Sequence, residues 1–224
     1  MFGEIAGHYD FLNHFLSLGI DRWWRRRTVR TVRPEGEAPI LDVCTGTADL
    51  ALAYDRAARG RVPVVGLDFC RPMLEIGQKK VLRHGASDRI SLVEGDAQSL
   101  PFRDDFFQIV SVAFGLRNVS DTDQGLRELF RVCRPGGKVA VLEFSTPRFR
   151  VVGAIYHWYF NKILPKIGQA IAPNAFSAYN YLPESVSQFA EGEALLEKMR
   201  AAGAQHAWYR RLSFGVATLY IGAK

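Results

Sequence analysis

From about residue 38 onward, short apolar, β-rich runs alternate with stretches whose apolar positions recur at helical spacing. This is the pattern of βαβ units wound around a parallel sheet. The apolar runs cover residues 39–44, 62–67, 90–93, 106–113 and 138–143. Between them the spacing predicts helices over 48–58, 71–84 and 121–133, the last closed by Arg134-Pro135-Gly136-Gly137. The character then changes. An aromatic segment, 149–172, gives way to a Pro- and Asn-rich stretch, then to a helix near 191–202 stopped by Gly203. Two further β-rich runs, 205–211 and 215–222, stand too close together for a helical crossover and should pair antiparallel. The 224 residues read as one domain, with a helical N-terminal segment over 1–37 and a helical and loop insertion over 148–190.

Composition narrows the class without choosing a function. A chain that is 48% hydrophobic and 23% charged can bury a sizeable core, which excludes a disordered or collagenous protein. A formal net charge of +6 suits an anionic partner, whether nucleic acid, nucleotide cofactor or acidic lipid. Cys44, Cys70 and Cys133 lie far apart with no C-x-x-C pair, so neither a disulfide framework nor a zinc site is expected, and a reducing compartment fits. Glu4, Asp10 and Asp21 precede the arginines of residues 22–27, the reverse of the charge order in an export signal. The most membrane-like stretch, 151–164, is interrupted by His157, Asn161 and Lys162 and stops at Pro165, short of the roughly 20 apolar residues a spanning helix needs. A cytoplasmic protein that rests at most peripherally on the inner face of the plasma membrane is the expectation.

The chemistry begins at the first strand-to-helix turn, Asp42-Val-Cys-Thr-Gly46-Thr47-Ala-Asp49. Open α/β sheets bind nucleotides at the carboxyl ends of their strands. With Gly46 as the turn's sole glycine, the G-x-G-x-x-G cradle for a pyrophosphate is missing, which argues against a nicotinamide dinucleotide. S-adenosylmethionine, which has no phosphates, needs only a tight turn and acceptors for its amino-acid and ribose groups. Asp68 ends the second run, some 20 residues after Gly46, where a carboxylate can accept ribose hydroxyls. Asp96, followed by Ala97, comes just after the third run, placed for an adenine amino group. Any one of these acids alone is more often a solvated loop residue or a helix cap. Three at equivalent topological positions favour an adenosyl pocket. The expected architecture is therefore α/β: a Rossmann-like class I methyltransferase, with a mostly parallel seven-stranded sheet, an antiparallel C-terminal hairpin and helices on both faces.

Longer motifs carry a resemblance. Tyr9-Asp10-Phe-Leu-Asn13-His-Phe-Leu-Ser17-Leu-Gly-Ile-Asp21-Arg-Trp-Trp24 and Arg131-Val-Cys-Arg-Pro135-Gly-Gly137-Lys-Val-Ala-Val-Leu-Glu143-Phe-Ser145 stand at either end of the sheet region. Leu100-Pro-Phe102, Phe114-Gly-Leu-Arg117-Asn118-Val and Ala178-Tyr179-Asn-Tyr181-Leu-Pro183-Glu-Ser185-Val accompany them. With these motifs the chain closely resembles, nearly end to end, the ubiquinone/menaquinone biosynthesis C-methyltransferase family, and within it the demethylmenaquinone methyltransferases. It departs from the family pattern at Asp21 (usually His), Leu12 (Met), Thr45 and Ala48 (often Gly), Ala113 (Ser in some) and Phe214 (often Gly).

The resemblance implies transfer of a methyl group from S-adenosylmethionine to a ring carbon of a reduced polyprenyl quinol, with no metal. A naphthoquinol and a benzoquinol acceptor stay open, since both branches share the motifs. It also implies site residues. Asp42, Gly46, Thr47, Asp68, Asp96 and Ala97 are expected at the cofactor, Arg117, Asn118 and Tyr9 in the chemistry, and Tyr179 and Tyr181 at the quinol. Guanidinium stays protonated, so Arg117 is expected to stabilise an oxyanion rather than act as base. An ion pair or C-cap is its purely structural alternative, and ordinary packing is that of the tyrosines. Two aromatic and basic surfaces, residues 155–167 and Trp23-Trp24 with Arg22 and Arg25 to Arg27, suit an anionic membrane, a core or a homodimer interface. A nucleic-acid methyltransferase is disfavoured by the lack of an Asn/Asp-Pro-Pro-Tyr motif and of a separate basic module. A non-catalytic S-adenosylmethionine-binding scaffold of a quinone-synthesis complex is the remaining alternative.

Overall fold

The computed structural model describes residues 19–147 and 185–224. Helix α1 (Asp21–Thr31) leads into strand β1 (Ile40–Val43), followed by α2 (Asp49–Ala58), β2 (Val64–Asp68), α3 (Arg71–Arg83), β3 (Ile90–Glu94) and β4 (Phe107–Ala113). After a 3-10 turn at Leu116–Asn118 come α4 (Thr122–Val132), β5 (Cys133–Phe144), α5 (Glu193–Ala201), β6 (His206–Leu212) and β7 (Ala217–Ala223). The strands form one seven-stranded sheet in the order β3-β2-β1-β4-β5-β7-β6. β1 to β5 are parallel, while β7 runs antiparallel to both β5 and β6. The expected fold class is the observed one.

Because strand side chains alternate between faces, neighbouring apolar residues are sorted into two cores. Ile40, Ile109, Ala140 and Leu219 pack with Trp24, Leu52, Tyr54 and Val81 of α1, α2 and α3. Leu41, Val110, Val141 and Tyr220 pack with Leu126, Leu129, Phe130 and Met199 of α4 and α5. Burial on both faces explains why the central strands read as continuous apolar runs rather than as alternating ones.

Two local readings change. Arg134-Pro135-Gly136-Gly137 reads in sequence as the loop that closes a helix, yet it lies inside β5. The register against β4 shifts there between Phe107 and Ile109. Gly136 takes φ +73°, and a Cβ on Gly137 would lie 2.9 Å from the Gln108 carbonyl oxygen, so the glycines shape a bulge in the strand. Trp23 and Trp24, read in sequence as one surface, are separated: Trp24 is 1% exposed and follows the core reading, while Trp23 is 48% exposed. The Trp24 indole Nε1 donates to Ser213 Oγ at 2.9 Å, and its ring packs against Phe114 and Phe144. The departure at Asp21 is absorbed inside the same helix, where the buried carboxylate pairs with Arg25.

Among the described residues, no helix is long and apolar enough to cross a membrane. Cys44, Cys70 and Cys133 are free thiols.

Candidate active site

The carboxyl ends of β1 to β5 meet at one edge of the sheet, and the backbone there is unusual. Cys44 after β1 and Phe114 after β4 both adopt left-handed φ (53° and 60°), as do Gly46 and Ala48. Non-glycine residues pay roughly 1–3 kcal/mol for such conformations, which collect where a binding site needs sharp turns. Ala48, at φ +66°, holds a conformation that glycine adopts at less cost. Gly115 must stay bare, because an added Cβ would lie 2.3 Å from Cys44 Cβ, an atom fixed to backbone. Gly115→Ala is therefore expected to destabilise the fold by about 1–3 kcal/mol and to loosen the paired tips of β1 and β4. Thermal unfolding checks this, and wild-type stability in the variant would contradict the packing.

A cavity of about 270 Å³ opens at this edge, lined among others by Gly46, Asp68, Asp96, Ala97, Phe114 and Asn118. A smaller one of about 20 Å³ adjoins it through Cys44, Gly46, Ala113 and Phe114, and holds Asp42 and Thr47. The six residues expected at the cofactor thus line these two adjoining cavities. Arg117 lines neither, though its neighbour Asn118 lines the larger. Tyr9, Tyr179 and Tyr181 lie outside the described residues.

Each acid has a defined local task. Asp68 accepts from the Gly46 N–H at 2.8 Å with Oδ2 and from the Cys70 N–H at 2.9 Å with Oδ1, tying the β1 and β2 turns together. Lone pairs remain on both oxygens for hydroxyls in the cavity. Asp96 is exposed and accepts from the Gln98 N–H at 2.9 Å. The loop that carries it is pinned from α4. Glu128 accepts from the Leu100 N–H at 2.7 Å, and Arg131 donates to the carbonyls of Leu100 (2.9 Å) and Phe102 (2.8 Å). The Leu-Pro-Phe motif and Arg131 therefore serve the position of Asp96. Thr47 Oγ1 accepts from Lys80 at 3.0 Å, on the outer side of the turn.

Asp42 is 1% exposed and accepts from Thr45 Oγ1 at 2.7 Å. Burial raises its pKa to about 7, against partial relief from the Thr45 hydroxyl and Arg25. The folded carboxyl therefore keeps a proton that the unfolded chain releases near pH 4. Stability contributed by this group is complete below that pH and is lost as pH rises through 7. Between pH 5 and 8 the wild type should lose stability, and Asp42→Asn should lose less. Denaturant unfolding at the two pH values checks this, and identical losses in both proteins would contradict it. Asp68 is likewise raised by burial, with the backbone N–H groups of Cys70, Gly46 and Phe69 opposing. Cys44 is pushed up by burial and by the charges of Asp68, Asp42, Glu143 and Asp96. Of these, Asp68 and Asp96 line the larger cavity and give it a negative field, which suits a cationic ligand.

Glu143 belongs to the pair least visible in sequence. Arg117 Nη1 donates to Glu143 Oε1 at 2.6 Å and to the Phe114 carbonyl at 2.5 Å, while the Arg117 backbone N–H reaches Glu143 Oε2 at 3.2 Å. The guanidinium lies 5.4 Å from the centroid of the Phe144 ring. The two side chains are 8% and 1% exposed. Arg117 Nε and Asn118 Oδ1 are buried with no hydrogen-bond partner among the described residues. Buried polar atoms are paired as a rule, so each of these two calls for a partner from a ligand, a water or the rest of the chain. The ion pair considered for Arg117 is present, and Nε is the donor outside it. Glu143 received no role from the sequence. The rule that picks out Asp68 also finds it, since it too closes an apolar run.

The chain matches the model of the ubiE/COQ5 methyltransferase family over residues 1–224. It is 44% identical over 224 residues to a protein of Geotalea daltonii named ubiquinone/menaquinone biosynthesis C-methyltransferase UbiE, covering all of this chain and 94% of that one. It is 46% identical over 222 residues to a demethylmenaquinone methyltransferase of Thermus thermophilus, covering 99% of both. Among solved structures, an S-adenosylmethionine-dependent methyltransferase of Thermotoga maritima aligns with a TM-score of 0.68 at 19% identity, over 100% of this chain and 97% of that one. The [4+2]-cyclase SpnF aligns with a TM-score of 0.65 at 23% identity, over 87% of this chain and 62% of that one. One fold hosts both chemistries, so these two structures speak for architecture alone.

Proposed function

The chain belongs to the ubiE/COQ5 methyltransferase family, and from that premise we propose that it moves the methyl group of S-adenosylmethionine onto a ring carbon of demethylmenaquinol. The observation that carries this reading is the end-to-end match to quinone C-methyltransferases in a chain whose strand tips form a carboxylate-lined cavity. Gly46, Asp68, Asp96 and Ala97 would hold the adenosyl group, with Asp42 and Thr47 behind the turn. The bound sulfonium supplies an electrophilic methyl.

The residues on the opposite side have to make a ring carbon nucleophilic. A quinol carbon attacks only when the neighbouring hydroxyl has given up its proton and phenolate charge reaches the ortho position. Arg117, anchored by Glu143 and with Nε unpartnered among the described residues, would stabilise that oxygen, and Asn118 would orient it. The guanidinium cannot take the hydroxyl proton, so its part is electrostatic, and a water beside it would be the acceptor; the hydrogen on the methylated ring carbon then leaves as a proton when the ring becomes aromatic again. Near-attack geometry and preorganised donors are together worth many powers of ten in rate. Tyr9, Tyr179 and Tyr181 would complete the quinol side.

Product analysis by mass spectrometry tests this, using labelled methyl donor with short-tailed demethylnaphthoquinol and benzoquinol analogues. The label is expected on a naphthoquinol ring carbon. Label on the benzoquinol alone would move the reading to the ubiquinone branch, which the Geotalea name also covers. Cofactor binding with no labelled product would support a scaffold instead. Because a polyprenyl tail partitions into bilayer, the enzyme would meet its substrate at a membrane surface, as a peripheral cytoplasmic protein. A homodimer is a separate part of the proposal, decided by light scattering on the purified chain.

A further inference from the structure

On the outer side of the cofactor turn, α1, α2 and α3 enclose a groove of about 620 Å³. Arg22, Arg25, Arg26, Arg56, Lys80 and His84 line it, and Asp49 is the carboxylate on its wall. Arg25 is engaged with Asp21, and Lys80 with Asp49 and Thr47. Arg22, Arg26 and Arg56 form no ion pair with any described residue. Among the described residues these three guanidiniums, from two helices, have no carboxylate partner, and an anion between them would offset their like charge. A tetrahedral oxyanion bearing several acceptors, a phosphate, is the partner their forked donors match.

The rim indicates where that phosphate comes from. Trp23, one position from Arg22 and three from Arg26, is 48% exposed, and Ile20 at the start of α1 is 40% exposed. The same helix presents Arg22, Arg26 and Arg30 to solvent. A soluble phosphate needs the groove but gains nothing from an indole beside it. A bilayer surface uses both, since an interfacial helix sinks its apolar side chains at headgroup level while its arginines hold anionic lipid.

We propose that the groove between α1, α2 and α3 seats the phosphate of an anionic phospholipid headgroup, with Trp23 in the interfacial layer. This rests on the reading of a bilayer-held quinol as substrate, and it gives that reading a docking face. The groove shares Arg25 and Asp49 with the small cavity behind the cofactor turn, so docking would set the site close to the membrane surface.

Flotation with vesicles of phosphatidylcholine, alone or mixed with phosphatidylglycerol, tests it on the full chain. The wild type should float with the mixed vesicles and stay behind with phosphatidylcholine alone. A variant carrying Arg22→Gln, Arg26→Gln and Arg56→Gln should lose on the order of 100-fold in partitioning, from about 1 kcal/mol for each charge near the surface. Trp23→Ala should lose several-fold. The triple variant should still methylate a short-tailed quinol at the wild-type rate, which also shows that it folds. Equal flotation of wild type and triple variant would overturn the proposal. So would tight calorimetric binding of inorganic phosphate that Trp23→Ala leaves unchanged together with flotation, or retention of RNA in place of vesicles. Should the wild type methylate no quinol, the catalytic reading falls while the flotation result is judged by itself.

Discussion

Arg117→Ala is expected to lower turnover by on the order of 10²–10³-fold while S-adenosylmethionine affinity stays within a few-fold of wild type. The same substitution should also destabilise the fold. Glu143 is 1% exposed and loses its cationic partner, and breaking a buried pair from one side costs about 3–5 kcal/mol. The two effects are separable. Removing both charges together, as Arg117→Met with Glu143→Gln, takes away the stranded carboxylate. Glu143 holds the backbone N–H groups of Arg117 (3.2 Å) and Phe144 (3.1 Å) on separate oxygens, so the single amide oxygen at 143 can still accept from one of them. The double variant should recover part of the stability and none of the turnover. Denaturant unfolding beside steady-state kinetics provides the comparison. Turnover returning with stability would make Arg117 a structural residue only.

Asp68→Ala should act in the opposite sense, weakening cofactor binding by about 100-fold. A carboxylate hydrogen bond is worth about 1.5–3 kcal/mol, and Asp68 holds the N–H groups of both Gly46 and Cys70. Losing it removes an acceptor for the ligand and frees the turn in which Gly46 keeps φ +55°. Asp68→Asn should fall between the two proteins, because one amide face presents hydrogens to a backbone donor. Calorimetry with S-adenosylmethionine measures all three. Unchanged affinity in the alanine variant would remove Asp68 from the site.

What the sequence reveals, and what it hides, follows from the range of the interactions. An apolar run ending in a carboxylate is a local pattern, so Asp68 and Asp96 stand out from the order of residues alone. The strand types and the antiparallel ending are legible for the same reason, from run length and the spacing between runs. Contacts across the sheet are not. Arg117 and Glu143 stand 26 residues apart. They meet only because Ala113 pairs with Leu142 in the β4–β5 register, which brings residues 114 and 143 together at the sheet's edge. Register depends on the bulge at Gly136 and Gly137, and that pair reads in sequence as a helix stop. The basic surface is only partly legible for a related reason. Helical phase buries Trp24 and exposes Trp23, and the third guanidinium, Arg56, comes from a different helix.

On the proposed function the acidic strand tips grip an adenosyl group with its sulfur directed toward the Arg117 side. A crystal structure with S-adenosylhomocysteine tests it most directly. Ligand density is expected in the 270 Å³ cavity, with the ribose hydroxyls on Asp68 and the adenine amino group at Asp96. A cavity left vacant at saturating ligand, or an adenine seated elsewhere, would contradict it.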